Sequence, residues 1–555
     1  VTALADLPAP APGAPDVSRT PGGAHRGPRR LRHAPRLLVA LAIAVSLAVV
    51  LPLIFLVVQA VQVGWGTLEP LLLRHLTGTL LWNTISLTVV VVVASVVIGT
   101  LAAWFIERTR LPLRGLWAVL VVIPLGIPDF VVSFGWKAVF PSLAGFWAAA
   151  MVMTLAVYPL VFLPVAASMR NADPAQEEVA RSLGLGRMET FWKVTVGQAR
   201  LAILGGAVLV GLVVLAEYGA FEILFFETVT TEIYTEFTVG FNQPAACAFS
   251  LILVVLGGVL LLGEGGARGR GRANRIGAGA ARQLRPLALG KGTPLALAGV
   301  ILLVGLALGV PVGAVIYLIV RGGPSTVPAA SSLLAAAGHT FVYSAGAGLI
   351  ATLAALPVAL LSIRFPRPHV REMERSNMLI LAVPGLVIAL SFTYLTEHFL
   401  NGFIYQTPLL LVVVYAIMFF PLAVVSVRAA VARSPMGLEE VGLSLGVRRS
   451  TVFWRVTLPL IGPGLAAAFC LVFLESATEL TATLVLIPTN AQTLATQFWG
   501  YTTDLSYNQA APFAGAMMLI AAIPSYVLGR WFDRLPARAA AVQSTGPTPS
   551  TLVAL

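Results

Sequence analysis

The sequence predicts an all-α polytopic membrane protein, with about twelve transmembrane helices laid out as two parallel six-helix repeats. Three observations predict this. The chain is 58% hydrophobic and only 11% charged, against about 25% charged for an ordinary soluble chain. Apolar runs of about 20 residues, each long enough to cross a bilayer as a helix, recur along its length. A charged island, "EEVARSLGLGRMETFWKVT" at 177–195, returns as "EEVGLSLGVRRSTVFWRVT" at 439–457 with 11 of 19 positions identical.

The apolar runs fall at 37–61, 83–106, 115–138, 146–168, 199–218, 245–263, 294–320, 335–363, 376–398, 407–429, 461–486 and 511–530. An even number places both termini on one side of the membrane. Lys and Arg choose the side, because they collect in cytoplasmic segments. With the N-terminus inside, 33 of the 36 Lys and Arg residues are cytoplasmic, leaving only Arg74, Lys137 and Arg321 outside. The net charge of +12 is therefore topology, supplemented by anionic lipid heads, and not a sign of nucleic-acid binding. The first run is long and no small-residue cleavage site follows it, so it reads as a span and not as a signal peptide.

The segments between runs divide the chain. Residues 1–36 ("LPAPAPGAPD", "RGPRRLRHAPR") read as a disordered basic cytoplasmic tail. Residues 37–263 form a first half, 264–291 a Gly- and Arg-rich cytoplasmic linker, 292–532 a second half and 533–555 a second tail. The halves align beyond the island. Pro112 and Pro128 match Pro368 and Pro384 at an offset of 256, and "YP" at 158–159 matches "FP" at 420–421 at an offset of 262. Glu217 then matches Glu479. Two such halves facing each other create a path along a pseudo-twofold axis.

Each island reads as a short helix, a tight turn and a return into the fifth span of its half. Asp173-Pro174 supplies an N-cap acceptor and a first-turn proline, with Gln176 placed to complete a capping box. Ser434-Pro435 is expected to do the same job in the second half. Gly184 and Gly446 are placed to close the helices in the left-handed conformation. Val179 and Leu183 lie four apart, so one face is apolar and must pack on something outside the bilayer. A helix lying on lipid is the bland alternative, which the repeated Glu-Glu pair suits poorly.

This Glu-Glu-Val-Ala pattern, followed by glycine and an aromatic-basic stretch, resembles the EAA loop of binding-protein-dependent ABC transporter permeases. The resemblance covers both halves, roughly 83–263 and 339–530. It implies the fold of an ABC importer permease in the bacterial plasma (inner) membrane. It implies that Glu177, Glu178 and Gly184, with Glu439, Glu440 and Gly446, form coupling helices that dock on two copies of a cytoplasmic ATP-binding subunit. An extracytoplasmic solute-binding protein is the implied outer partner. Departures are Val179 and Val441 where the family has a second small residue, and Val196-Gly197 where the second half keeps Leu458-Pro459. The chain is not expected to be an enzyme by itself. It holds no G-x-x-x-x-G-K-[ST] phosphate loop, and "GKGT" at 290–293 lacks the upstream glycine. ATP and magnesium therefore belong to the partner, and this chain is expected to bind no cofactor of its own.

Fused halves, with "FFETVTTEIYTEF" at 225–237 and "ELTATLVLIPTNAQTLATQFW" at 479–499, resemble ferric iron permeases, although Thr481 stands where that pattern has proline. Thiamine, phosphonate or another small solute is the alternative cargo, and a twelve-span secondary transporter the alternative class. The acidic outer stretch holds Glu222, Glu227, Glu232 and Glu236 with Tyr218 and Tyr234. On a helix only Glu232 and Glu236 share a face, so this is no ready-made cage. Glu227, Glu232 and Glu236 read instead as a rim for docking the binding protein. Asp129, Glu217 and Glu479, together with Glu475, fall in or beside spans, where carboxylates are costly and face a path, a gate or a partner. Cys247, Cys470 and the scattered histidines, including His75, His339 and His398, form no metal pattern.

Overall fold

The computed structural model describes residues 34–170, 174–240, 242–268, 287–323, 328–399, 402–522 and 524. Asp173, both expected tails and most of the linker lie outside these residues.

Proline and apolar length together decide which runs cross the membrane as single rods. Among the described residues eight helices are long and apolar enough, including His75–Arg108, Val196–Ala216 within a longer span, and Ala330–Arg364. Three further runs are bent pairs. With these the described residues hold up to eleven spans, in keeping with the expectation of about twelve. The third run breaks between Arg114–Gly126 and Asp129–Val139 at 97°, and the ninth between Pro368–Leu381 and Gly385–Glu397 at 104°. Pro128 and Pro384 sit at the two breaks, where a missing N–H and a ring clash stop the ladder. The tenth bends by 55° at Phe419. The last run is helical over 507–522.

In each half three helices pack into the same triad. His75–Arg108, Pro159–Arg170 and Val196–Ala216 pack on one another, as do Ala330–Arg364, Phe420–Arg433 and Leu458–Ala477. The halves also exchange their first helices. Ala42, Val49 and Leu56 of Arg36–Val63 are buried in the core around Tyr343, Ala347 and Val414. Ala296, Val300 and Val315 of the seventh run join the core around Phe130, Val152 and Phe162. The units of sequence repetition are thus not the units of packing.

The helix of the sixth span runs on to Arg268, and Leu287 exchanges backbone hydrogen bonds with Arg108 and Arg110 at 2.8 and 2.9 Å.

Candidate functional site

The islands fold as one design built twice. Pro174–Ser182 and Met436–Ser444 are nine-residue helices. Each ends in a glycine at positive φ, +87° at Gly184 and +80° at Gly446. The Leu185 amide donates to the Ala180 carbonyl at 3.1 Å and the Val447 amide to that of Gly442 at 3.2 Å. These bonds, with Gly184 to Arg181 and Gly446 to Leu443, close a Schellman turn that needs a left-handed residue. No side chain stands within 4 Å of a Cβ at either glycine, so conformation and not space requires them.

The return segments contain matched π-turns, Phe191–Thr195 and Phe453–Thr457. The π-turns lead into the fifth span and bring a threonine hydroxyl back to the short helix. Thr195 donates to Glu177 Oε1 at 2.8 Å, and Thr457 to Glu439 Oε1 at 3.1 Å. The same two carboxylates pair with the arginines that end the second span of each half. Arg108 bonds Glu177, and Arg364 Nη2 donates to Glu439 at 2.6 Å. Both arginines are buried.

Geometry therefore splits each Glu-Glu pair. Glu177 and Glu439 point inward as anchors, while Glu178 and Glu440 are exposed. Around the exposed pair lie matched apolar side chains: Val179 and Val441 are each 56% exposed, Leu183 and Leu445 each 76%. Capping differs from expectation. The second short helix begins at Met436 with no side-chain cap, and Ser434 is buried with its carbonyl accepting from Arg364 at 3.2 Å. In the first half the expected cap Asp173 lies outside the described residues, and Gln176 Oε1 accepts from Gln198 Nε2 at 2.9 Å.

A second matched pair lies just past the ends of the two fifth spans, which close at Ala216 and Ala477. The Glu217 carboxylate accepts from the Ala220 amide at 2.7 Å, and Glu479 from Ala482 at 3.0 Å and Thr481 Oγ1 at 2.5 Å. Each turns the chain between the fifth span and a short helix. Asp129 opens the helix after the Pro128 break. Its counterpart Gly385 lies so close to Met418 and to Glu479 Oε1 that a side chain there would collide with them. Asp129 and Glu479 both lie within electrostatic reach of Glu217, and both also reach Glu475. The halves meet nearby, since a Cβ at Gly219 would touch Leu480 at 2.9 Å. Tyr218 caps this region, packed on Tyr234 and Trp499 with ring centroids at 4.5 and 5.6 Å.

The outer rim is only partly a free acidic surface. Glu222 and Glu227 are exposed. Arg74 Nη2 donates to both Glu232 and Glu236 at 3.3 Å, drawing those carboxylates inward. Burial first, then Glu236, holds the Glu232 carboxyl above its ordinary range, against the pull of Arg74. Among the described residues no three His, Cys, Asp or Glu side chains stand close enough to hold a metal ion.

The model of the family "binding-protein-dependent transport system inner membrane component" matches residues 95–263 and 351–540. The chain belongs to that family. It is similar to the Fe(3+)-transport system permease protein FbpB 2 of Haemophilus influenzae, 34% identical over 503 residues, 90% of this chain and 99% of that one. It is 21% identical over 483 residues to the ferric transport system permease protein FbpB of Actinobacillus pleuropneumoniae, 79% of this chain and 69% of the relative. The sulfate transport system permease protein CysT of Escherichia coli is 27% identical over 238 residues, 39% of this chain and 86% of the relative. This permease is thus a multi-pass inner-membrane component with two family domains, and it is not itself a catalyst.

Sequence reading of the permease missed Arg108 and Arg364, Thr195 and Thr457 as partners of the islands. A signal existed: Arg108 and Arg364 are identical at the 256-residue offset, and both threonines belong to the repeated island. What hid the contact was distance along the chain, since Arg108 precedes Glu177 by 69 residues.

Proposed function

We propose that this permease forms the translocation path of an importer for ferric iron, driven by two cytoplasmic ATP-binding subunits and fed by an extracytoplasmic binding protein. The matched cytoplasmic helices carry the reading. Each is anchored from inside by an Arg–Glu–Thr contact and offers an exposed glutamate with two exposed aliphatic side chains to a partner. An exposed apolar face tied to a rigid span is what a coupling element needs, because force on the face reaches the span through the buried ion pair. Glu178, Gly184, Glu440 and Gly446 then belong to the docking surface, while Glu177 and Glu439 transmit. ATP and magnesium stay with the partner, and both termini face the cytoplasm in line with the Lys and Arg asymmetry.

The cargo reading rests on similarity to the ferric permeases over nearly the whole chain. It gains support from Asp129, Glu217, Glu475 and Glu479, which gather carboxyl oxygens at the meeting point of the halves, hard donors suited to a cation and not to an anion such as sulfate or a phosphonate. Tyr218, Tyr234 and Trp499 close the outer side of that path. Glu222 and Glu227 offer the free acidic surface for the binding protein, with Glu232 and Glu236 held behind them on Arg74.

The deciding experiment is ATPase stimulation of the reconstituted permease–ATPase complex by its binding protein loaded with ferric iron, thiamine or a phosphonate. Stimulation by the ferric form alone is expected. Stimulation by another solute alone rejects the iron reading and keeps the architecture.

A further inference from the structure

The second half holds a crevice into which several polar side chains project. Thr340, Tyr343, Ser344, Tyr415, Ser476 and Glu479 line about 180 Å³ of space between atoms, too narrow in this conformation to hold a water molecule. The Ser344 and Ser476 side chains are 1% and 2% exposed, and neither hydroxyl has a hydrogen-bond partner. Buried hydroxyls left unpaired cost free energy, and unlike the other unpaired hydroxyls among the described residues, Ser95, Thr100, Thr352, Thr393 and Ser434, these two line one crevice. Tyr415 bonds Thr483 Oγ1 and lies within electrostatic reach of Glu479 and Tyr343.

The repeat shows what the fold alone requires here. At the offsets of 256 and 262 the first-half counterparts are Thr84, Leu87, Thr88, Met153, Val214 and Glu217. Leu87, Met153 and Val214 are buried hydrophobic packing, and Thr88 donates to the Thr84 carbonyl at 2.7 Å. The corresponding helices of the first half therefore pack without the phenols and without the two orphan serines. The threonine and the glutamate, which bond backbone amides in both halves, are the shared structural part.

We propose that this crevice is a binding station for a hard, highly charged cation in transit, provided by the second half alone and closed in this conformation. The inference rests on the ferric reading above. Carboxylate, phenol and hydroxyl oxygens are the hard donors such an ion prefers. Asp129, Glu217 and Glu475 bring further carboxyl oxygens into the neighbourhood of Glu479. Opening of the crevice as the halves move would give the orphan hydroxyls a partner and the ion an oxygen shell.

The test uses the whole permease–ATPase complex, both without nucleotide and arrested with ATP and vanadate. Terbium(III) serves as the hard trivalent probe, read by its emission on tyrosine excitation, and uptake of radioactive iron from the loaded binding protein is measured in proteoliposomes. Tyr343→Leu with Ser476→Val installs the first-half residues, and Ser344→Ala is a milder variant. Co-purification with the ATPase checks folding. Tyrosine-sensitised emission is expected in at least one state of the wild type, and the terbium dissociation constant read from its titration should rise about tenfold in the double variant and less in Ser344→Ala, a loss of about 1.4 kcal/mol for the former. Iron uptake should fall with it. Equal emission from wild type and both variants, or no emission from the wild type in either state, overturns the station. Emission that depends on the crevice in a transporter that moves no iron overturns the ferric reading and leaves the station standing.

Discussion

Arg108 and Arg364 lie 256 residues apart, and each closes the same contact: a buried guanidinium at the end of a second span, bonded to the first glutamate of a cytoplasmic island. The contact ties an otherwise exposed helix to the membrane core. Removing one partner leaves the other charge buried, which typically costs about 3–5 kcal/mol. Arg108→Ala should therefore lower the melting temperature of the purified permease and abolish coupled transport. Replacing both partners, Arg108→Met with Glu177→Leu, should restore much of the thermal stability. A single variant that melts like the wild type would remove the anchor role.

The exposed glutamates and leucines should behave differently. Leu183→Asp and Glu178→Arg touch no buried partner, so thermal stability should change by less than about 0.5 kcal/mol. Co-purification of the ATP-binding subunit should nevertheless be lost, most completely when Leu445→Asp is added. Retention of the subunit at wild-type levels in the double variant would reject the docking surface.

Gly184 and Gly446 sit at positive φ with open space around them. Alanine there should cost about 1–2 kcal/mol each through backbone strain alone. Asparagine, which tolerates that conformation better, should cost less. Thermal melts of the four variants check the order, and equal melts for alanine and asparagine would contradict it.

Glu217 and Glu479 are proposed to line the path. Cysteine at either position should react with a small aqueous thiol reagent in one nucleotide state and be protected in another. Reaction that ignores the nucleotide state, or no reaction in any state, would assign the pair to packing.

The rim titrates with a definite sign. Glu232 is held above its ordinary range by burial first and Glu236 second. The folded state therefore keeps a proton that the unfolded state has lost, and stability from this group falls as pH rises from about 4 through the raised folded value. Glu232→Gln should flatten that part of the melting curve against pH. An unchanged slope would show that the carboxyl does not report folding.

Much of this protein was readable from residues alone. Apolar length set the spans, Lys and Arg placement set the expected orientation, and the duplicated island set the two-half design, because each is a local or additive property of the chain. Pro128 and Pro384, aligned at the 256-residue offset, fall at the two sharp breaks, since a proline removes its own backbone bond wherever it falls. The exchange of first helices between cores, the inward turn of Glu177 and Glu439, and the capture of Glu232 and Glu236 by Arg74 were not readable. Each joins residues far apart in sequence, and a carboxylate looks the same in a sequence whether it meets water or a buried arginine. The closed crevice of the second half belongs to this group: its serines and tyrosines are ordinary in sequence, and folding three helices together leaves two of their hydroxyls without partners.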